Sequence, residues 1–593
     1  MHHWGYICPF ETPDGESIGY LKNLAILTKV TAGTNPQFIR NCLYDIGVIP
    51  IENYNLKLNK NVCKVFVNNS WYGITNNPVL ITRILRAYRR NALINILTTI
   101  SWDTLSNEIR VFADVGRGVR PLIILNKGNS KIFTNKYNNW FDLIIGKYNN
   151  YKEKERSEEI YYKNEYINPR DLDVFKGKSD DFILSELEKE GAVIEYIDPQ
   201  ETDTSYIAMY KKDIDNFHTH LEIHPSTMLS VVSGNIPMSN HNAAARNLFH
   251  AAMTKQAIGI YATNFNQRFD TFGFIQHYPQ KAIINTRHSQ YTGSDKMANG
   301  ANLIVAIMTY SGFNQEDSLI INKKSIERGL FHLTYYKSIS ASTKKINEFE
   351  RIIFANPIKL RNEGKNINIA KHADYSLIDD KGFVKEGSYI PRGKQAIVLG
   401  MVLVKDVIVK VKRGLYEEEE KQTIYKDISI SSDESYYGYI DKVFIGNKTV
   451  DDDIQVCKIR FMKIKIPEFG DKHSSRHGQK GVIGMILPEE QMPFTKDGVR
   501  PDLIVNPHAI PTRMTIGHLV ECVYAKLCCI EGFLGDGTVF INLDYENIYN
   551  HLEKNNFQRF GNEILYNGQT GRQMNTEVFI GPTYYFQIGR AHV

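Results

Sequence analysis

Apolar residues recur at helical spacing through residues 81–91, "ITRILRAYRRN", and the same spacing puts Arg83, Arg86 and Arg90 on one face. The pattern predicts an amphipathic helix. We interpret the arginine stripe as a solvated basic face, since runs of like charge usually face water. The chain around it alternates short strand-like runs with helices, interrupted at 144–181 by a polar segment that we expect to be exposed.

The second half of the chain contains longer apolar runs. "NLIVAIMTY", Asn302–Tyr310, predicts a buried strand, and the loop "SGFNQED" follows it. Residues 336–470 are rich in strand-like runs, and the acidic "EEEE" at 417–420 within them predicts a solvated loop. A helix is predicted at 515–531, because apolar residues share one face and Gly532 follows where a capping glycine belongs.

Composition narrows the class of protein. At 593 residues the chain is too long for one compact core, which predicts several domains. Its net charge of +5 is small for this length, so any contact with nucleic acid must come from local basic clusters. Seven cysteines without a CxxC pair indicate a reducing compartment and argue against a zinc ribbon. We expect no membrane span, because no apolar run reaches roughly 18 residues. We expect no signal peptide, because the N-terminus has neither a basic n-region nor an apolar h-region.

The segment "HTHLEIH" offers one candidate metal site. On a strand, His218, His220, Glu222 and His224 would share one face and resemble a ligand set for zinc or iron. Alternate strand positions lie nearly 7 Å apart, which is awkward for four ligands of one ion. The alternative is a polar strand face satisfied by its neighbours.

A second candidate is the carboxylate pair in "SGFNQED". Glu316 and Asp317 close the loop after the predicted buried strand. Adjacent carboxylates at a strand end suit Mg²⁺, which takes few carboxylates together with waters and substrate phosphates. A helix-capping role is the alternative for such a pair.

The remaining candidates are cations. "GDKHSSRHGQKG" carries Lys472, Arg476 and Lys480 at four-residue steps, Arg513 precedes the helix at 515–531, and Arg268 lies in a polar loop. Helix N-termini favour phosphate, and fixed cations beside a metal-binding carboxylate pair neutralise the charge of a triphosphate. The pattern predicts a phosphate-handling enzyme that uses Mg²⁺, without specifying which.

Four stretches carry a resemblance to a known family. They are "HWGYICPFETPDGESIGYLKNLA" at the start, "GFNQEDSLIINKKSIERGLF", "GDKHSSRHGQKGVIG" and "MPFTKDGVRPDLIVNPHAIPTRMTIGHLVE". Together with weaker matches in the same order, they resemble the second-largest (β-type) subunit of multisubunit DNA-directed RNA polymerases. The "HWG" and "KNLA" around the first turn resemble the archaeal–eukaryotic branch.

The resemblance implies a mixed α/β multidomain fold that contains a double-psi β-barrel. It also implies a division into domains, which are the end of the fork region (1–30), external domains (31–245), the first part of the hybrid-binding region (246–335), a β-rich wall or flap (336–470) and the second, truncated part of the hybrid-binding region (471–593). The final "IGRAHV" does not resemble the family, and we expect it to be artefactual.

The resemblance also implies roles for the charged residues. Glu316 and Asp317 match an acidic pair near a second, nucleotide-borne Mg²⁺. It implies that Arg268 and Arg513 contact the incoming triphosphate. It implies that Lys472 and Lys480 contact the RNA 3′ end and the hybrid. Arg476 either contacts nucleic acid or braces its loop.

In the family the main Mg²⁺ is held by an aspartate-rich loop of the largest subunit, which this chain lacks, so catalysis is expected only in the complex. Expected partners are the largest and smaller subunits, template DNA, the RNA transcript and nucleoside triphosphates, and no zinc is expected here. A large DNA virus is the expected source and a divergent eukaryote is the alternative, with the protein intracellular, in the nucleus or a cytoplasmic viral factory. The alternatives are an inactive nucleic-acid-binding pseudo-subunit and a metal-dependent hydrolase that uses the "HTHLEIH" residues.

Overall fold

The structure is a computed structural model, and it describes most of the chain. The described ranges are 3–53, 62–137, 139–149, 158–162, 164–413, 416–432, 436–446 and 454–589. Of the "IGRAHV" tail, residues 590–593 lie outside these ranges. No helix within the described ranges is long and apolar enough to cross a membrane.

Two five-stranded sheets form the first part of the chain. The first has the order β2-β4-β3-β6-β5, and its strands are β2 (Ile49–Pro50), β3 (Cys63–Val67), β4 (Ser70–Thr75), β5 (Thr99–Asp103) and β6 (Glu108–Phe112). The second has the order β1-β7-β10-β9 with β8 also paired to β7, and its strands are β1 (Lys29–Ala32), β7 (Val115–Ile124), β8 (Ile194–Ile197), β9 (Ile207–Ala208) and β10 (His220–Leu221). The helices here are α1 (Pro36–Asp45), α2 (Pro78–Arg90), α3 (Trp140–Ile144), α4 (Asp180–Lys189) and α5 (Pro199–Asp203).

Helix α2 confirms the helix predicted at 81–91, but its arginines do not form a solvated stripe. Three of them contact glutamates of α4, β8 and α5, in the pairs Arg83–Glu188, Arg86–Glu201 and Arg90–Glu195. Arg89 is 1% exposed and lies between Glu195 at 2.5 Å and Glu201 at 2.7 Å. The solvated face is therefore wrong for Arg86 and Arg90, because these carboxylates neutralise them inside the fold.

A closed six-stranded β-barrel forms the centre of the second part. Its strands are β13 (Ala301–Ile307), β14 (Ser318–Asn322), β26 (Lys472–Ser475), β27 (Lys480–Leu487), β29 (Leu503–Val505) and β32 (Gln573–Gly589). They pair in the order β13-β29-β14-β27-β26-β32, and the antiparallel pairing of β32 with β13 closes the ring. Two more strands extend it from β32, namely β31 (Asn562–Tyr566) and then β28 (Phe494–Thr495).

Burial explains why these strands form a barrel. The inward side chains of β13, β14, β27 and β29 belong to one apolar cluster that includes Leu303, Leu319, Ile483 and Leu503. Strand β13 confirms the buried strand predicted at Asn302–Tyr310. The mixed α/β multidomain class is confirmed as well, whereas the double-psi connection and the domain boundaries stay predictions.

Helix α10 (Ile516–Glu531) packs on β32 and confirms the helix predicted at 515–531. It ends at Gly532, whose φ of 78° is the left-handed conformation that glycine tolerates. Lys526 fixes the helix to the barrel, since its Nζ donates to the carbonyl oxygens of Gly561 and Ile580, both at 3.1 Å. The other helices of this part are α6 (Ala244–Thr254), α7 (Arg287–Thr292), α8 (Lys323–Glu327) and α11 (Tyr545–Lys554).

Residues between β14 and β26, together with the earlier strand β11, form sheets outside the barrel. One sheet has the order β11-β15-β25-β24-β19, and its strands are β11 (Phe272–Gln276), β15 (Leu333–Ser342), β19 (Tyr389–Ile390), β24 (Gly438–Ile445) and β25 (Val456–Lys465). The other has the order β16-β17-β21-β22-β18, and its strands are β16 (Lys344–Lys345), β17 (Glu350–Phe354), β18 (Ile367–Asn368), β21 (Met401–Arg413) and β22 (Tyr416–Asp427). The remaining elements are the pairs β12 (Ile284–Asn285) with β30 (Gly535–Asp536) and β20 (Ile397–Leu399) with β23 (Ile430–Ser431), and helix α9 (Pro357–Asn362).

The acidic tetrad at 417–420 lies in strand β22 and not in the predicted loop. The antiparallel register with β21 pairs Lys412 with Glu417 and Lys410 with Glu419. The loop prediction was wrong because the backbone of the tetrad is paired with β21 along its length.

Candidate active site

Strands β26 and β27 form a hairpin that exposes two lysines. Within residues 471–480 only Lys472 and Lys480 are exposed, and the other side chains are buried. The register pairs Lys472 with Val482 and Ser474 with Lys480, so the two lysines lie diagonally on one face of the hairpin. Diagonal neighbours of an antiparallel pair are about 7–8 Å apart. The hairpin therefore presents two cations side by side, a spacing that suits neighbouring phosphates.

Arg476 is not on that face. It is 7% exposed, and its Nη2 donates to Glu521 Oε1 at 2.6 Å while its Nη1 donates to the carbonyl oxygen of Ile284 at 2.7 Å. His477, fully buried, holds the second oxygen of Glu521 at 2.5 Å through Nε2. The prediction of Arg476 as a nucleic-acid contact is thus corrected, because its guanidinium is buried against Glu521. Its position agrees with the alternative role, as a brace of the loop.

The charge of this buried cluster is set by Glu521. Burial raises the pKa of its carboxyl, but the Arg476 guanidinium and the hydrogen bond from His477 outweigh burial and hold that pKa well below its ordinary value. Glu521 is therefore ionised at neutral pH. The Arg476–Glu521 pair ties the turn of the hairpin to α10.

Asn242 connects the same cluster to the start of α10. Its Oδ1 accepts from the backbone N–H of Gly517 at 3.0 Å, and its Nδ2 lies 3.0 Å from His477 Nδ1. The amide thus satisfies one of the helix's free N–H groups. That group is not available to phosphate, although we expected the helix start to be free.

The carboxylate pair lies on a well-defined loop. Asn314 is fully buried and donates to the carbonyl oxygen of Met308 at 2.7 Å, which fixes the turn after β13. Glu316 has a φ of 53°, and both Glu316 and Asp317 are exposed. Neither caps a helix, because β14 follows and the cap of α8 is Asn322. The capping alternative was therefore wrong.

Asp317 and Arg513 meet at this loop. Asp317 Oδ1 accepts from Arg513 Nη2, and Arg513 Nη1 donates to Gln479 Oε1 at 2.6 Å. The two charged groups line an open cleft of about 590 Å³, together with Glu316 and His508. The cleft joins the predicted carboxylates to one of the predicted phosphate-binding arginines.

The lysine hairpin borders the same loop. Val482 donates its backbone N–H to the carbonyl oxygen of Asp317 at 3.0 Å. A Cβ at Gly481 would lie 2.5 Å from that oxygen, so only glycine permits this approach. Gly481 thus serves a contact within the chain. It places Lys480 two residues from the backbone bond that holds Asp317.

Arg246 is a member of this site that the sequence reasoning missed. It lies in the first turn of α6, and its Nη1 donates to the carbonyl oxygen of Gly478 at 3.2 Å. Burial lowers the pKa of Arg246, nearby Arg513 adds to the lowering, and Asp317 opposes it. A cation in the first turn of a helix faces the positive end of the dipole. That unfavourable placement, in "NAAARNLF", was the available signal.

Arg268 is placed differently. Its Nε and Nη2 each donate to Asp270 at 3.0 Å, and its side chain is about half-exposed, at 46%. Its backbone carbonyl accepts from Arg460 Nη1 at 2.7 Å, next to strand β25. No contact within the described residues joins Arg268 to the cleft of Asp317 and Arg513. Its role toward a triphosphate stays a prediction.

The four residues of "HTHLEIH" have separate partners. His220 Nε2 lies 2.9 Å from Glu195 Oε1, and Glu222 pairs with Arg120 at 2.6 Å. His218 Nδ1 accepts from a backbone N–H, and His224 Nδ1 bonds Ser226 Oγ at 2.7 Å. Only His220–Leu221 of the segment forms a strand, so the four side chains do not share a strand face.

The described residues contain no group of three or more side chains that could hold a metal ion on their own. Glu316 and Asp317 offer two adjacent carboxylates on an exposed loop. That donor set fits Mg²⁺ only if substrate phosphates or waters complete the coordination. The fit is with an ion that arrives with a nucleotide.

Comparison with known proteins identifies the family. Residues 232–590, which contain the barrel and the whole cleft, match the family model "RNA polymerase Rpb2, domain 6". The chain belongs to the Rpb2 family of RNA polymerase subunits. Two further Rpb2 models match, domain 4 over residues 65–126 and domain 3 over residues 1–30.

Relatives of this Rpb2-family chain come from eukaryotes and archaea. It is 34% identical to the DNA-directed RNA polymerase II subunit RPB2 of Schizosaccharomyces pombe, over 99% of this chain and 48% of the relative. It is 35% identical to the RNA polymerase II subunit 2 of Arabidopsis thaliana, over 99% and 46%. It is 31% identical to the subunit Rpo2 of Saccharolobus shibatae, over 99% and 48%. The chain spans about half the length of these relatives.

Proposed function

We propose that this Rpb2-family chain forms half of the active centre of a DNA-directed RNA polymerase. The observation that carries the proposal is the convergence of Asp317, Arg513 and Arg246 beside the exposed lysine hairpin. These residues are far apart in sequence, yet Asp317 and Arg513 line one cleft. Arg246 bonds the hairpin turn at Gly478 and lies close enough to feel the charges of both. Positioned cations next to carboxylates are what phosphoryl transfer from a triphosphate requires.

In this proposal the arginines and the lysines contact different parts of the nucleic acid and its substrate. Arg513 and Arg246 contact the phosphates of the incoming nucleotide, since both guanidinium groups are partly buried and held by the fold. Lys472 and Lys480 contact the RNA end and the hybrid, because both are exposed on one face. Partly buried cations select a compact group, whereas exposed ones suit an extended strand.

Glu316 and Asp317 would hold the nucleotide-borne Mg²⁺ together with the triphosphate. When bound, that ion neutralises charge on the triphosphate and helps to orient it. The chain's own part is to keep Asp317 against Arg513 until the nucleotide arrives. We also propose four partners from outside this chain: the main Mg²⁺, the largest subunit, the smaller subunits and the template DNA.

Reconstitution tests the proposal. The full-length protein is combined with the largest subunit and the smaller subunits, and extension of an RNA primer on a template is measured. We expect extension that depends on Mg²⁺ and falls with Asp317→Ala and with Arg513→Ala. An assembled complex that binds the hybrid but does not extend it would instead favour an inactive pseudo-subunit.

The source and the location of the protein are further proposals. The frequent Asn, Ile, Lys and Tyr residues indicate an AT-rich coding sequence, which favours a large DNA virus, with the protein intracellular, in the nucleus or in a cytoplasmic viral factory. Flanking genes are the direct test of the source. A neighbouring gene for a largest subunit with an aspartate-rich loop would support both the source and the function.

A further inference from the structure

Gln479 is a buried amide whose two ends are both engaged. It is 4% exposed, its Oε1 accepts from Arg513 Nη1 at 2.6 Å, and its Nε2 donates to the carbonyl oxygen of Ala509 at 3.0 Å and to Thr515 Oγ1 at 2.7 Å. A guanidinium can only donate and a carbonyl can only accept. The partners therefore fix which end of the amide faces Arg513.

The two Nε2 bonds close the loop that carries Arg513. Ala509 and Thr515 flank the loop. Met514 within it has a φ of 52°, which residues other than glycine rarely adopt. Thr515 does not cap α10 with its own side chain, because its hydroxyl accepts from Gln479. One side chain thus holds both ends of the loop and the guanidinium at its tip.

Gln479 also precedes Lys480 on the hairpin. Because the two residues are adjacent, the backbone that positions the exposed Lys480 also positions Gln479, and Gln479 in turn positions Arg513. The guanidinium is fixed at two nitrogens, at Nη1 by Gln479 and at Nη2 by Asp317. Only the second partner is an anion that a triphosphate could replace. The bond to Gln479 can persist while phosphate takes the place of Asp317.

We propose that Gln479 is a positioning residue, which holds Arg513 in the orientation for the triphosphate and couples it to Lys480. The inference rests on the proposed function of Arg513. A pre-oriented guanidinium loses little conformational freedom when phosphate binds. A loose guanidinium would have to be ordered by the nucleotide itself, which weakens nucleotide binding and leaves the chemical step largely intact.

The test compares two substitutions in the reconstituted polymerase. Gln479→Met keeps the length of the side chain and removes all three hydrogen bonds. Gln479→Glu keeps the shape and puts a carboxylate beside Arg513 that competes with the triphosphate. We expect the apparent KM for nucleotides to rise about tenfold with Gln479→Met and further with Gln479→Glu, while kcat changes less than about threefold.

Gln587→Met is the matched control. Gln587 is a buried amide, 1% exposed, on the neighbouring strand β32, and it donates to Asp471 at 3.2 Å and not to Arg513. A loss of folded protein lowers the amount of active enzyme and hence the rate, but it does not raise KM. If both Met variants shift KM equally, or if Gln479→Met leaves KM unchanged, the positioning role is overturned.

Arg513→Ala separates this inference from the proposed function. If Arg513→Ala raises KM and Gln479→Met does not, the inference fails and the proposed contact of Arg513 stands. If Arg513→Ala does not raise KM, the proposed contact itself fails. The double variant should show a KM no higher than Arg513→Ala alone, because the amide acts only through the guanidinium.

Discussion

Arg513 and Asp317 are bonded to each other across the cleft, although 196 residues separate them in the sequence. The carboxylate proposed to bind nucleotide-borne Mg²⁺ is thus the present counter-ion of the arginine proposed to bind phosphate. Asp317 is about half-exposed, at 49%, and Arg513 is 19% exposed, so the pair can be separated from the solvent side. A triphosphate with its Mg²⁺ would give each group a new partner of opposite charge. Three predictions concern this site.

Arg513→Ala should raise the apparent KM for nucleotides in the reconstituted polymerase. The change removes a charge-assisted contact worth roughly 1.5–3 kcal/mol, which corresponds to a rise of about tenfold or more. Initial rates at varied nucleotide concentrations measure it. Arg500→Ala is the control, because Arg500 is also an arginine of this segment but lies near Glu489 at 3.9 Å, outside the cleft. An unchanged KM would refute the phosphate contact.

Asp317→Ala should lower the extension rate and raise the concentration of Mg²⁺ needed for half-maximal rate. The substitution leaves Glu316 as the only carboxylate of the pair, so the chain's share of the metal ligands is halved. A magnesium titration measures the shift, with Asp497→Ala at an exposed aspartate as the control. The metal assignment fails if the titration curve does not move.

Replacing Lys472 and Lys480 with alanine should weaken hybrid binding and make it less sensitive to salt. Each lost phosphate contact reduces the slope of log affinity against log salt by about 0.7–0.9. Fluorescence anisotropy with a labelled RNA–DNA hybrid, at several salt concentrations, measures the slope of the assembled polymerase. Lys496→Ala, at another exposed lysine, should leave the slope unchanged. Equal slopes in all variants would exclude both lysines from the hybrid.

Glu521→Gln should destabilise the protein, because it leaves the Arg476 guanidinium buried without a counter-ion. Breaking a buried ion pair from one side costs on the order of 3–5 kcal/mol. Chemical denaturation measures the change. Glu531→Gln is a matched control on the same helix, since Glu531 bonds His551 at the surface, and it should have a much smaller effect. Similar losses in the two variants would argue against the buried brace.

Lowering the pH should destabilise the part of the protein that contains the barrel at pH values still above those at which carboxyl groups become protonated. Burial lowers the pKa of His250 to about 3 and that of His518 to about 4, with the charge of His477 adding to the lowering in both. The unfolded chain therefore binds more protons than the folded one below the ordinary value of 6.5. Stability is full above that pH, decreases by about 1.4 kcal/mol per histidine for each pH unit between 6.5 and the lowered pKa, and no longer changes below it.

His518→Phe should flatten this pH dependence. Neither ring nitrogen of His518 has a hydrogen-bond partner within the described residues, and the ring packs edge-on against Tyr585. Phenylalanine keeps the aromatic packing and cannot be protonated. Denaturation at pH 7.5, 6.5 and 5.5 measures the slope, and His551→Phe, at a more exposed histidine, is the control. A slope that stays as steep as in the unchanged protein contradicts the assignment to His518.

Local sequence patterns predicted the helices and strands that are defined by a single spacing of apolar residues. Helix α10 and strand β13 follow from apolar spacing and from Gly532, because both depend on residues close in sequence. The acidic strand β22 was missed, since local composition does not show that β21 pairs with it. The spacing of apolar residues could not predict the closure of the barrel either, because closure pairs residues that lie hundreds of positions apart.

The site was predicted in part for the same reason. The sequence presents Lys472, Arg476 and Lys480 as three equivalent cations, but pairing in the hairpin exposes two and buries the third. Arg246 was missed because its contact with the hairpin turn at Gly478 depends on how α6 packs. Gln479 carried no signal at all, since an uncharged side chain acquires its role only through Arg513 34 residues away.

The closing pair of strands has a consequence for the order in which the protein is completed. Ala301 on β13 is paired with Tyr585 on β32, and the strands of residues 333–465, which form sheets outside the barrel, lie between them in the chain. During synthesis those sheets emerge while the ring is still open, and β13 has a free edge until β32 arrives. The exposed edge is a site where pairing with another chain would compete. Premature termination before β32 should therefore yield aggregation-prone fragments, even though most of the cleft's residues have already been made.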